Sequence, residues 1–190
     1  MNQFSGLERW QKIARRIRVP LGFAFAALYL WQAFKNPPHL LWILASLLLV
    51  LPGLWLRGYA SGYVKKNAEL TTTGPYAHTR NPLYLGSMLI AFGFALALAS
   101  WMIALALVLL FVVIYVPVIA SEERFLRANF DEFNDYCRRV PRLLPRLTSA
   151  VAFTGGGSFS IELYSKHREY NAAIGAGLVY AALLTGLLLR

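Results

Sequence analysis

Apolar runs divided by short charged or turn-forming stretches organise this chain. Stretch 19–34 is apolar apart from Gln32 and lies between Arg18 and Lys35. Stretch 40–56 follows and ends at Arg57. No charged residue occurs from position 81 to 121. As one helix that stretch would run roughly 60 Å, twice a hydrocarbon core of about 30 Å. A hairpin of two helices is therefore predicted, bent near Ala99-Ser100-Trp101, where an interfacial type of aromatic follows a serine. Stretch 170–189 is the last uncharged one. The pattern predicts an all-α integral membrane helical bundle. Its five transmembrane helices fall at 19–34, 40–56, 82–99, 101–120 and 170–189, in one membrane domain covering 1–190. The first stretch has a basic flank, but no small-x-small cleavage site follows it. Lys35-Asn36-Pro37-Pro38 reads as a tight turn, so this stretch is read as a retained span.

Charge orients the bundle. With five spans, residues 1–18, 57–80 and 121–169 share one side. That side carries every basic residue except Lys35 and Arg190, and all nine acidic ones. The positive-inside rule makes it cytoplasmic, with the N-terminus there and the C-terminus outside. Any chemistry that uses charged groups then faces the cytoplasm. Only 15% of the residues are charged, too few to clothe a soluble globule of this length. The net charge of +10 suits anionic lipid head groups. Because the basic residues are spread around helix ends, no nucleic-acid partner is expected. Cys137 is the lone cysteine, and His39, His78 and His167 have no ligand spacing, so neither a disulfide framework nor a metal site is expected. Residues 147–169, with Gly155-Gly156-Gly157, read as a linker before the last span.

Two charged segments, 65–81 and 121–146, stand out. In the first, Gly74-Pro75 and Asn81-Pro82 are turn signals. Pro82 suits the first turn of the third span, and Asn81 is expected to cap it. Free backbone donors there could hold a carboxylate. In the second, Glu122-Glu123 directly follows the fourth span. Adjacent helical residues point about 100° apart, so at most one of the two faces inward. Such an acid can bind an ammonium group or a ribose hydroxyl. Phe125, Leu126, Phe130 and Phe133 form a stripe expected to lie on the membrane surface.

The ordered pattern Gly74-x-Tyr76-x-x-x-Arg80-Asn81-Pro82-x-Tyr84-x-Gly86, an apolar hairpin, Glu122-Glu123-x-x-Leu126-x-x-x-Phe130, Tyr136 and Arg139-Val140-Pro141-Arg142-x-x-Pro145 resembles the isoprenylcysteine carboxyl methyltransferases and the related phospholipid methyltransferases. The resemblance covers about residues 65–146. It implies an integral membrane enzyme that uses S-adenosylmethionine at the cytoplasmic membrane boundary. Carried over residue by residue, it implies cofactor contacts at Tyr76, Arg80, Asn81, Pro82, Leu83, Tyr84, Glu122 and Glu123. The backbone of Ala68, Glu69, Leu70 and Thr71 would run along the adenosine. Glu123 is the first expectation for the cofactor's amino group and Glu122 the second.

Two positions depart from the family pattern. Asn81 stands where the family usually has histidine. Also, no basic residue occupies Pro117-Val118-Ile119-Ala120, where prenylcysteine enzymes place an arginine for the substrate carboxylate. The expected partner is therefore a lipid or another lipophilic small acceptor, not a prenylcysteine carboxylate. No catalytic base is assigned; Glu169 and His167 are the candidates. Two other readings are an NADPH-dependent membrane reductase of the sterol-reductase type and a non-catalytic membrane scaffold.

Overall fold

The computed structural model describes residues 3–65, 69–149 and 157–189. Helix α1 is Gln3–Lys35, α2 is Leu40–Ser61 and α3 is Pro82–Ala97, with a 3₁₀ turn at Gly74–Ala77 before α3. Helix α4, Trp101–Leu110, continues through a π turn, Phe111–Tyr115, into α5, Val116–Asn129. Helices α6, Phe133–Arg139, α7, Ile161–Lys166, and α8, Tyr170–Leu188, complete the order. No strand occurs among the described residues, and the chain is an all-helical membrane bundle. Among the described residues four helices are long and apolar enough to cross a bilayer: Glu8–Lys35, Leu40–Ser61, Trp101–Asn129 and Tyr170–Leu188. Helix α3 is shorter, about 24 Å at 1.5 Å per residue. It is apolar along its length.

All five apolar helices nevertheless run between the same two ends. At one end Tyr29 and Ala33 of α1, Ile43 of α2, Ala95 and Ala97 of α3, Ile103 and Leu107 of α4 and Leu183 of α8 form one buried cluster. The Arg80–Glu123 and Arg142–Glu123 ion pairs lie at the other end, with Arg15 and Arg18 of α1, whereas Lys35 ends α1 near the cluster. The bend between α3 and α4 falls where the sequence places it. Ala99 takes a left-handed conformation (φ 46°), and the Ser100 hydroxyl accepts from the Ile103 amide, capping α4. Helices α2 and α3 meet through small residues. A Cβ on Gly86 would lie 2.8 Å from the Gly53 carbonyl, and one on Gly93 would meet Val50 and Ser46. Apolar lipid tails give helices no hydrophobic drive to associate, so this close backbone approach supplies the attraction by packing.

The π turn has a cause in the sequence. Pro117 has no N–H, so the Val113 carbonyl cannot receive its usual bond from four residues on. The Val116 amide instead bonds the Phe111 carbonyl, one residue further back than in an α-helix. The Val113 carbonyl is met by the indole N–H of Trp10 in α1, at 3.2 Å. Helix α1 crosses here with Ala14 fully buried against Ile114 and Val118.

The stretch between α6 and α8, read as a linker, holds secondary structure. Ser160 caps α7, its amide bonds the Gly62 carbonyl, and Phe159 stacks on Tyr59. Positions 150–156, which include most of the glycine run, lie outside the described residues.

Candidate functional site

Asn81 has been displaced from its expected capping role. Its side-chain amide makes no bond to the α3 donors; Nδ2 donates to the Arg142 carbonyl at 2.8 Å. The cause is the segment after α6, which lies along 78–81 and presents its carbonyls. The Arg80 amide bonds the Pro141 carbonyl at 2.9 Å, the Thr79 hydroxyl donates to the Leu143 carbonyl, and the Arg146 amide bonds the His78 carbonyl. Tyr136 closes the same seam by donating to the Tyr76 carbonyl at 2.7 Å. The two segments that the sequence singles out thus become one wall.

That wall and α5 enclose a cavity of about 500 Å³ at the charged end of the bundle. Glu69, Leu70, Thr71, Tyr76, Arg80, Asn81, Pro82, Leu83, Tyr84, Glu122 and Glu123 all line it. Ala68 falls among 66–68, outside the described residues. Phe133 and Tyr136 also line the cavity, with Phe125 and Leu126. The aromatic stripe therefore does not lie on the membrane surface as a whole. Phe133 is buried with Tyr136 and Val140, and Leu126, Phe130 and Leu70 pack on them; Phe125 alone of the stripe stays exposed. Folding α6 back over the end of α5 turns that apolar face inward.

The adjacent acids have different surroundings. Glu123 is about four-fifths buried and held by two guanidinium groups: Arg80 at 3.2 Å and Arg142 at 3.0 Å on its other oxygen. Arg80 also donates to Cys137 Sγ, and its buried Nε has no partner among the described residues. Glu122 accepts one hydrogen bond, from the Tyr84 hydroxyl to Oε1 at 2.8 Å. Its Oε2 accepts none among the described residues. The charge of Glu122 reaches Tyr76, whose phenol is held far above its ordinary pKa, first by burial and then by Tyr136, Glu122 and Glu169, with Arg57 opposing. Burial likewise raises the Tyr136 phenol, against the lowering effect of Arg80. Both phenols are neutral hydrogen-bonding groups at physiological pH.

Sequence reasoning missed Arg15 and Arg18. Both lie on α1, outside the segments with recognisable motifs, and both line the cavity. Arg15 donates twice to the Ser121 hydroxyl, at 3.0 and 2.7 Å, and Arg18 once to the Tyr84 hydroxyl, at 3.4 Å. The signal available in the sequence is their spacing of three, which puts them on one helix face. Which helix that face meets is a tertiary fact. The two base candidates do not line the cavity. Glu169 is gripped by Arg57 through both oxygens, at 3.0 and 2.7 Å, and His167 Nδ1 lies 3.1 Å from the Ser61 carbonyl. That ion pair fastens the start of α8 to α2.

A second, smaller cavity of about 70 Å³ adjoins the first, with Tyr84 lining both. Ser87, Met88, Ala91 and Phe92 of α3 face Leu107, Leu110, Phe111 and Tyr115 across it. It is almost wholly apolar and lies beside the π turn. Among the described residues no three of His, Cys, Asp and Glu group closely enough to hold a metal ion.

Residues 39–132 match the family model described as phospholipid methyltransferase. The chain is 40% identical over 116 residues to the nickel-cobalt-cadmium resistance protein NccN of Alcaligenes xylosoxydans xylosoxydans, covering 56% of this chain and 54% of that one. It is 34% identical over 158 residues to the cobalt-zinc-cadmium resistance protein CzcN of Cupriavidus metallidurans, covering 80% of this chain and 71% of that one. The chain thus spans about half the length of the first relative and over two thirds of the second. No solved structure matches it. The family match runs from the start of α2 through the acidic pair and into the loop before α6, the same stretch that builds most of the cavity wall, and the chain belongs to the phospholipid methyltransferase family, in the group that also holds the isoprenylcysteine carboxyl methyltransferases.

Proposed function

We propose that the chain transfers a methyl group from S-adenosylmethionine to a lipophilic acceptor at the cytoplasmic boundary of the membrane. The observation that carries this reading is convergence. Eleven motif residues from 69–84 and 122–123 line one cavity, and that cavity adjoins an apolar one at Tyr84. The residues suit the cofactor. Its volume lies within the roughly 300–1,000 Å³ usual for small-molecule sites. Glu122 Oε2 is open to an ammonium group, the orphaned Arg80 Nε offers a donor, and Leu70, Leu83 and Phe133 give an apolar bed. Glu122 rather than Glu123 takes the ammonium in this reading, because two arginines already occupy Glu123.

The bound cofactor supplies a methyl group already activated on sulfonium. The chain then has to align the acceptor for in-line displacement and shield both reactants from water. Tyr84, fixed by Glu122, stands between the two cavities and sets where the acceptor's reactive atom can sit. The apolar cavity suits a slender hydrocarbon part entering between α3 and α4. With Glu169 and His167 engaged elsewhere, an acceptor that gives up its proton to water before attack, such as a thiol reacting as the thiolate or a lipophilic amine reacting as the free base, fits best.

The relatives are named for metal resistance. Any such role for this chain we assign to methylation of a membrane-dissolved compound rather than to metal ligation, since the described donors do not cluster. Titrating the purified protein with S-adenosylhomocysteine and, separately, with NADPH tests the reading. Saturable binding of the first and none of the second is expected. NADPH binding without S-adenosylhomocysteine binding would establish the reductase reading instead, and binding of neither would leave the scaffold.

A further inference from the structure

The cations around the cavity divide into two sets. Lys65 is paired with Glu69, and Arg80 and Arg142 with Glu123. Arg15 and Arg18 contact hydroxyl groups only and form no ion pair among the described residues. Each sits beside the acid with the open oxygen: Arg15 on Ser121, next to it in the chain, and Arg18 on Tyr84, which bonds it directly. Two uncompensated guanidinium groups beside one incompletely paired carboxylate make a receptor for a zwitterion. A guanidinium has five donors in a planar fork and binds carboxylates in pairs of bonds. Arg15 spends two of its five on one hydroxyl oxygen and Arg18 one on another, so both have donors to spare.

We propose that Arg15 and Arg18 of α1 bind the α-carboxylate of the cofactor's amino-acid end, with its ammonium on Glu122. This rests on the methyltransferase reading above. It makes α1, of which the family match includes no residue, part of the cofactor site. Helix docking and cofactor binding are then linked, since Arg15 fastens α1 to α5 through Ser121 while it serves the ligand.

The test compares two ligands on the same protein by calorimetry: S-adenosylhomocysteine, and its decarboxylated analogue, which keeps the amine. Arg15→Ala and Arg18→Ala should each weaken the first by about tenfold or more, the scale of a hydrogen bond to a charged group. Each should leave the second within about twofold. Because the ratio is read within one variant, a general loss of folding cannot imitate the result. Equal weakening of both ligands, or a change in neither, overturns the proposal. So does an unchanged ratio accompanied by lost binding to vesicles containing phosphatidylglycerol, which would show that the pair serves a lipid phosphate. Wild-type protein that binds neither ligand would sink the methyltransferase reading itself, whereas wild-type binding with a flat ratio sinks only this assignment.

Discussion

Glu122 and Glu123 differ by one position and about 100° of helix, and that rotation decides their partners. Glu123 faces the 141–146 segment and binds Arg80 and Arg142; Glu122 faces Tyr84 and the cavity. Neutralising each should therefore have a different signature. Glu122→Gln is expected to weaken S-adenosylhomocysteine by about 2–5 kcal/mol, the cost of truncating one partner of a desolvated charge pair. Glu123→Gln leaves two arginines facing each other and loosens the tie between α5 and the loop after α6. Its larger effect should be a lowered unfolding temperature. Calorimetry and thermal melts on the two variants separate these roles; wild-type affinity in Glu122→Gln would remove the assignment. The sequence allows at most one acid of the pair to face inward, whereas both line the cavity, and only Glu122 keeps an oxygen without a partner among the described residues. Which acid keeps it depends on the phase of α5, and the π turn sets the phase.

The π turn is the element that an apolar pattern hides. From 101 to 129 the residues read as one uninterrupted helix apart from Pro117, and a proline inside a membrane helix is compatible with a simple kink. The resolution used here, an inserted residue plus the Trp10 indole on the Val113 carbonyl, requires α1 to be in place. The same limit applies to Arg15 and Arg18, whose spacing is visible but whose neighbour is not. By contrast, the α3–α4 bend is legible because Ser100 and Trp101 are local signals, and the 74–84 motif because its turns are local too. Pro117→Ala would restore an amide that can bond the Val113 carbonyl and allow a regular helix. That change should turn Glu122 away from Tyr84. The expected result is unchanged or raised thermal stability with S-adenosylhomocysteine affinity reduced about tenfold or more, a loss of one charge-assisted bond. Undiminished affinity would mean that the turn does not set the phase of the acids. The α2–α3 contact is the opposite case, rigid and unforgiving. Gly86→Val would drive side-chain atoms into the Gly53 carbonyl and the Arg57 stem. A loss of about 1–3 kcal/mol is expected, seen as a lower unfolding temperature in detergent.

At the scale of the whole molecule the open quantity is the number of crossings, and it hangs on α3. By length alone four helices qualify and α3 does not. Four crossings would put both termini on one side of the membrane, and five would put them on opposite sides. The packing argues for five. The C-terminal end of α3 lies in the same buried cluster as the ends of α1 and α8 and the starts of α2 and α4, while its N-terminus lies at the cavity. A helix that joins both ends of the bundle crosses as far as its neighbours do. The bilayer can thin locally around a short segment at modest cost, and its neighbours α2, α4 and α8 shield α3 from the lipid. In the sequence all basic residues but Lys35 and Arg190 fall in 1–18, 57–80 and 121–169, an asymmetry that predicts the direction. Reporter fusions should place the N-terminus in the cytoplasm and the C-terminus outside. A fusion at Leu98 should also report outside, and one at Ser149 inside. Cytoplasmic signal from both the Leu98 and the C-terminal fusions would mean that α3 does not cross, which would leave four crossings, put 122–149 on the opposite side from 69–84 and so overturn the cavity that both segments line.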